Sequence, residues 1–174
     1  MEVYTVLGSD GFGKFATYDN LRSSSCTTCE LSVDKSVYYF PTLYYRSEDG
    51  RNFTSVKQHG GALVYYLFRR DHENIPLVAF PRDFRMVTGN PFDRRQKETS
   101  EAHATTWTCV NYGQGSQSVN AIPNTQCPQN LRMEILFPSC WDGKNIDSED
   151  HKSHGYFFSN SFIADESRVP HNDK

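Results

Sequence analysis

The apolar residues of this chain fall in short runs of aromatic and β-branched side chains, each closed by turn-forming residues, and this punctuation limits the folds open to it. The run VYYFPTLYY covers 37–45, ALVYYLF covers 62–68, and shorter runs lie at 77–80, 105–112 and 131–137. Runs of this length and composition suit strands, whose successive side chains point to opposite faces of a sheet. Pro41 interrupts the first run; proline lacks the N–H that a ladder needs, so it confines a strand to a sheet edge or splits it in two. Ser47, Glu48, Asp49 and Gly50 make the turn that follows, and Gly60 and Gly61 precede the second run. In the last run Met133, Ile135 and Phe137 alternate with Glu134 and Leu136, the pattern of a strand with one buried face. Helical character is confined to 94–104, where Lys97, Glu98 and Glu101 suit a short surface helix without an apolar stripe. The expectation is a mainly β fold, a single-domain β-sandwich or jelly-roll-like architecture with long loops and little helix. The runs at 37–45, 62–68, 105–109 and 131–137 then share one sheet system. Residues 1–158 form the domain and 159–174 a polar, disordered tail.

Composition supports this class and narrows the partners. Ten Tyr and twelve Phe stand against three Met, an excess that favours pleated surfaces over helices. The net charge is -3, and the densest basic run, Arg94-Arg95-Gln96-Lys97, meets Glu98 and Glu101 at once. That is a solvated face rather than a nucleic-acid footprint. No apolar stretch approaches the roughly 20 residues that cross a bilayer, and the opening MEVYTVLG lacks the basic and long apolar regions of an export signal. Five cysteines, at 26, 29, 109, 127 and 140, lie in polar, turn-rich surroundings. This is the usage of disulfides in an oxidising compartment, with one thiol left over. Cys26 and Cys29 are expected close together, and two of the other three are expected to pair. The sequon Asn52-Phe53-Thr54 fits a secreted surface turn. The glycine-rich GSDGFG at 8–13 does not have dinucleotide-loop spacing and reads as a turn.

Chemistry-bearing side chains concentrate in FPSCWDGKNIDSEDHKSH, 137–154, directly after the last strand, where loops on a rigid scaffold tend to carry sites. His151 and His154 stand three apart, on one side of a helical turn but on opposite faces of an extended segment. With Asp142, Asp147 and Asp150 they offer nitrogen and oxygen ligands for a divalent metal such as zinc, copper or manganese, or an acid and base pair. The candidate catalytic residues are therefore Asp142, Asp150, His151 and His154, with His151 and His154 as metal ligands. Trp141 offers a flat apolar face to a sugar ring, and Lys144 and Lys152 join it as substrate-binding candidates. The same residues also read as turn caps, partly exposed hydrogen-bonding imidazoles and a core tryptophan. Cys140 suits a disulfide rather than a nucleophile, and the single CxxC of Cys26 and Cys29 lacks the second pair or the frame of a zinc or redox site.

FPSCWDGKN, then Asp147, Ser148 and DHKSH at 150–154, resembles the signature of a fungal secreted family known as a domain of unknown function, number nineteen-ninety-six. LRSSSCTTC at 21–29, DKSVYYFPTLYY at 34–45, GGALVYYL at 60–67, FPRDFRMVTGNPF at 80–92 and NTQCPQNLRMEILFPSCWDGK at 124–144 resemble the same family in the same order. The resemblance runs to about His154. It implies secretion and polysaccharide or cell-wall surroundings, because members often accompany carbohydrate-binding modules of the fungal cell-wall type; it supplies no established reaction. Members carry a His-x-His pair near the start, where Glu2 and Tyr4 stand here. If those histidines form a site with His151 and His154, this chain has lost half of it. The polar tail in place of the family's further strands and cysteine, with no signal peptide or first family segment upstream, implies a copy trimmed at both ends. Three functions stay open: an enzyme acting on extracellular polysaccharide, a non-catalytic module binding cell-wall glycan through Trp141 and surface Tyr, and an inactive truncated copy.

Overall fold

The computed structural model describes residues 3–67, 77–95 and 97–157. The chain forms two compact units, Met1–Asp83 and Phe84–Lys174. Among the described residues strand accounts for 26% and helix for 6%, well under the usual helical third, and the fold is mainly β.

In the first unit, strand β1 (Tyr4–Gly8) runs antiparallel to β2 (Val37–Pro41), Tyr4 facing Pro41 and Gly8 facing Val37. The run 37–45 is split where its proline stands. β2 ends at Pro41, and the chain resumes as β3 (Tyr44–Arg46), paired in a second hairpin with β4 (Phe53–Ser55). Gly8 holds the end of β1 with φ 105, and a Cβ there would stand 1.8 Å from the Ser36 carbonyl oxygen, so only glycine fits. The glycine-rich stretch after it is a turn, fastened by Asp10. The Asp10 carboxylate accepts from the Cys26 N–H at 3.1 Å and from the Ser25 hydroxyl at 3.2 Å. Between β1 and β2 lies α1 (Tyr18–Arg22), a one-turn helix started by a reciprocal cap. Asn20 N–H donates to Thr17 Oγ1, and Thr17 N–H donates to Asn20 Oδ1. This T-x-x-N start is a local signal of the capping-box type, too short to show apolar periodicity.

The second unit is built on β5 (Thr105–Val110), which follows the short α2 (Ser100–His103) and lies between β6 (Gln117–Val119) and β7 (Asn130–Ile135). In β7 Met133 and Ile135 are half-buried while Arg132 and Glu134 are exposed, the alternation its sequence implies. Ala104, Val110 and Pro138 are buried, and Thr108 beside the first two is 1% exposed. Its hydroxyl donates to Glu134 Oε2 at 3.0 Å and accepts from Ser118 Oγ at 2.7 Å, so the buried oxygen is fully engaged. A disulfide joins Cys109 in β5 to Cys127, with Cα atoms 5.0 Å apart. Cys26, Cys29 and Cys140 are free thiols. A last small ladder pairs β8 (Cys140–Trp141) with β9 (Gly155–Tyr156).

Several expectations need correction. Among the described residues the runs at 105–109 and 131–137 do share one three-stranded sheet, but the run at 37–45 enters two separate two-stranded sheets instead of joining them. Residues 62–67 and 77–80 form no strand and are exposed; residue 68 lies outside the described residues, as does the tail at 159–174. Strand propensity becomes a strand only where a partner strand pairs with it, and 62–67 meets β2 through Tyr66 Oη, 2.5 Å from Tyr38 Oη.

Gly8→Ala is expected to destabilise the first unit by on the order of 2–3 kcal/mol, from left-handed strain and the clash with Ser36, measured by urea unfolding. Alkylation mass spectrometry without reductant is expected to label Cys26 and Cys29 and to leave Cys109 and Cys127 protected. Cys127→Ser should cost about 3 kcal/mol, the entropy of opening a loop of this size.

Candidate functional site

The acidic, histidine-bearing segment is a loop closed by the β8–β9 ladder, with the Asp142 N–H donating to the His154 carbonyl at 3.1 Å. Within it, three carboxylates each organise a turn. Asp142 Oδ1 accepts the N–H groups of Lys144 and Asn145, both at 2.9 Å, and Oδ2 accepts from Asn145 Nδ2 at 2.6 Å. Trp141 Nε1 donates to the Asn145 carbonyl at 2.6 Å, and its indole lies edge-on to Phe84 with centroids 6.2 Å apart. Asp147 Oδ1 accepts from Ser148 N at 2.9 Å and from His151 Nδ1 at 2.6 Å. Asp150 Oδ1 accepts the N–H groups of Lys152 and Ser153 and the hydroxyls of Ser148 and Ser153, all between 2.8 and 3.0 Å.

His154 is the buried centre of the loop, 1% exposed. Its Nε2 donates to the Arg85 carbonyl at 2.6 Å, its Nδ1 lies 2.8 Å from Ser148 Oγ, and its ring stands edge-on to Phe84 at 5.1 Å. Segment 84–89 is laced to the loop by two backbone bonds, Arg85 N–H to the Ile146 carbonyl at 3.0 Å and Val87 N–H to the His151 carbonyl at 2.9 Å. Lys152 Nζ bridges the Gly89 carbonyl and Glu101 Oε1, both at 2.5 Å. Lys144 is exposed, and its ammonium has no partner among the described residues.

The electrostatics follow from these bonds. For Asp142 and Asp147, burial pushes the carboxyl up, but the N–H donors, Asn145 or His151, and the nearby imidazoles outweigh it and hold both below the usual range. The Ser153 and Lys152 N–H groups and the serine hydroxyls hold Asp150 far lower. Burial pushes the Cys140 thiol up. Three carboxylates held as anions at neutral pH are acceptors for turns, whereas a general acid needs a raised value.

Of the sequence candidates, Asp150 and His154 meet through Ser148, and His151 pairs with Asp147; Asp142 and Trp141 serve a separate turn. Both nitrogens of His154 are engaged, while His151, half exposed with φ 55, has only Nε2 to offer a ligand. Among the described residues no three His, Cys, Asp or Glu side chains gather to hold a metal ion, so this donor set does not fit a metal centre. Glu2 lies outside the described residues. Tyr4 belongs to the first unit, its ring edge-on to Tyr39 at 5.6 Å. Ser148 and Arg85 belong to the family-like segments but carry no signal of a role of their own, and they are the groups that hold His154. The D-x-x-S spacing of Asp150 and Ser153 and the four-residue spacing of Asp147 and His151 carry local signals, but the Arg85 carbonyl, 69 residues from His154, leaves none.

His154→Ala is expected to cost about 3 kcal/mol by leaving a buried carbonyl unpaired beside a cavity, and His151→Ala less than about 1 kcal/mol because its ring is half in water. Asp150→Ala should cost about 1–2 kcal/mol at pH 7, as for a lost cap. Its folded pKa lies below the unfolded value of about 3.9, so its contribution is present above that value and lost as pH falls through the folded one. The difference between wild type and variant in urea midpoint is therefore expected to shrink below about pH 4.

Compared with known proteins, the chain matches the family described as Domain of unknown function (DUF1996) over residues 1–172. No curated protein and no solved structure matches it.

Proposed function

We propose, from the premise that the chain belongs to that family, that it is a non-catalytic extracellular module that binds polysaccharide. The observation that carries this reading is the exposed β3–β4 hairpin. Strand alternation places Tyr44, Arg46 and Phe53 on one face, with Arg46 directly opposite Phe53 and Tyr44 on the diagonal. Tyr44 is 39% and Phe53 64% exposed. Two aromatic faces beside a guanidinium suit the C–H side and the hydroxyls of a sugar chain, since flat rings bury apolar area at little entropic cost. The extracellular setting comes from the family resemblance and agrees with the Cys109–Cys127 disulfide. The loop 142–154 takes the structural part, because its carboxylates are occupied in turns and held as anions.

The enzyme reading keeps one observation in its favour, the Asp147–His151 pair at 2.6 Å with Nε2 of a half-exposed ring facing outward from the bond, the arrangement of an oriented base. Sedimentation with insoluble chitin, β-glucan and cellulose separates the two. Wild type is expected in the pellet with at least one of them. The Tyr44→Ala, Phe53→Ala double variant should lose about tenfold in affinity, or about 1.4 kcal/mol. His151→Ala should bind as wild type does. Release of reducing sugar that disappears in His151→Ala would replace this reading with catalysis.

A further inference from the structure

The other face of the same hairpin carries Asn52 and Thr54. Thr54 stands opposite Tyr45 and Phe53 opposite Arg46. The Ser47 N–H donates to the Asn52 carbonyl at 3.0 Å, which carries the ladder one residue pair further, to Ser47 and Asn52. Alternation then places Asn52, Thr54 and Tyr45 on one face, away from Tyr44, Arg46 and Phe53. The backbone of Asn52 is anchored once more by Ser47, whose Oγ accepts from the Asn52 N–H at 3.0 Å while its hydroxyl donates to Asp49 Oδ1 at 2.5 Å. The side chains are free. Asn52 and Thr54 are both exposed, and neither the carboxamide nor the threonine hydroxyl has a hydrogen-bond partner among the described residues. Tyr45, across the ladder from Thr54, is 61% exposed.

We infer that Asn52 is a site of N-linked glycosylation, with the Thr54 hydroxyl completing the acceptor and the Tyr45 ring flanking the first sugar. A fixed backbone under an unengaged carboxamide is what an attached glycan needs, because the modified side chain loses no native bond and meets only solvent. The donor is an oligosaccharide carried on a polyprenyl pyrophosphate. Asn52 Nδ2 forms a bond to the anomeric carbon as the bond from that carbon to the pyrophosphate oxygen breaks. The lipid pyrophosphate leaves with the electron pair, and one amide proton passes to a base of the transferase. The sugar buries part of its apolar face against Tyr45, as sugars do on aromatic rings. Because the two faces differ, a glycan at Asn52 leaves the Tyr44 and Phe53 face open. The inference rests on the extracellular reading only in that the chain must meet the transferase.

The test supplies that encounter. The full chain is produced in a glycosylating eukaryotic host behind an added secretion leader, or translated into microsomes where release is poor. Its intact mass is read before and after an amidase that removes N-glycans. The expected result is a mass that falls by whole hexose and N-acetylhexosamine units, with Asn52 emerging as Asp. Asn52→Gln and Thr54→Ala should lose the glycan, and Thr54→Ser should keep it. Tyr45→Ala should keep the glycan but lose the rise in melting temperature that the glycan brings. An unmodified Asn52 in lumenal or secreted chain overturns the inference, whatever the polysaccharide binding. A glycosylated chain that binds no polysaccharide overturns the proposed function and leaves this site standing.

Discussion

His154 donates from Nε2 to the carbonyl of Arg85 and meets the hydroxyl of Ser148 with Nδ1, in a site 1% exposed. An imidazole withdrawn from water pays the desolvation of two polar atoms unless both are paired, and here one partner comes from its own loop and the other from a segment 69 residues away. The register of segment 84–89 along the loop is tied to that ring. The neighbouring bonds from Arg85 to Ile146 and from Val87 to His151 follow the same alignment, and Phe84 closes over both His154 and Trp141. Displacing the ring would leave the Arg85 carbonyl without this partner and remove the contact with Phe84.

The same economy recurs elsewhere. Full apolar burial is sparse among the described residues, with Ala104, Val110 and Pro138 as the buried apolar side chains, so order rests heavily on polar groups that satisfy one another. Thr108 at the centre of the three-stranded sheet holds Ser118 and Glu134 from the two flanking strands. Ser9, 3% exposed, donates its hydroxyl to Ser24 Oγ at 2.6 Å and accepts from the Gly11 N–H at 3.1 Å, which docks the end of β1 onto the segment after α1. Such networks specify geometry well when every member is paired.

This bears on function through what remains unused. Asp142, Asp147 and Asp150 look like catalytic groups by residue type, but both oxygens of Asp142 and Oδ1 of Asp147 and of Asp150 accept from N–H and O–H donors of the loop, and all three carboxyls are held below the usual range. The β3–β4 hairpin presents exposed side chains on both faces, one aromatic and the other carrying an unengaged Asn and Thr.

Local pattern in the sequence determined a good deal. The alternation of Met133, Glu134 and Ile135 reports a half-buried strand, and Pro41 ends β2 because a ring without an N–H cannot continue a ladder. The Asp and Ser spacings of 142–153 spell turn caps, since a carboxylate reaches N–H groups two and three residues ahead by covalent geometry alone. Tertiary structure decided what depends on a distant partner. Residues 62–67 have strong strand propensity yet form no strand, because propensity alone does not supply the cross-strand partner that a strand needs. Cys109 chose Cys127 over Cys140 because the loop before β7 brings those Cα atoms to 5.0 Å. The partner of His154 Nε2 was likewise decided at a distance, by the Arg85 carbonyl. A backbone oxygen is present at every residue, so no residue type announces which one will be buried against a given side chain.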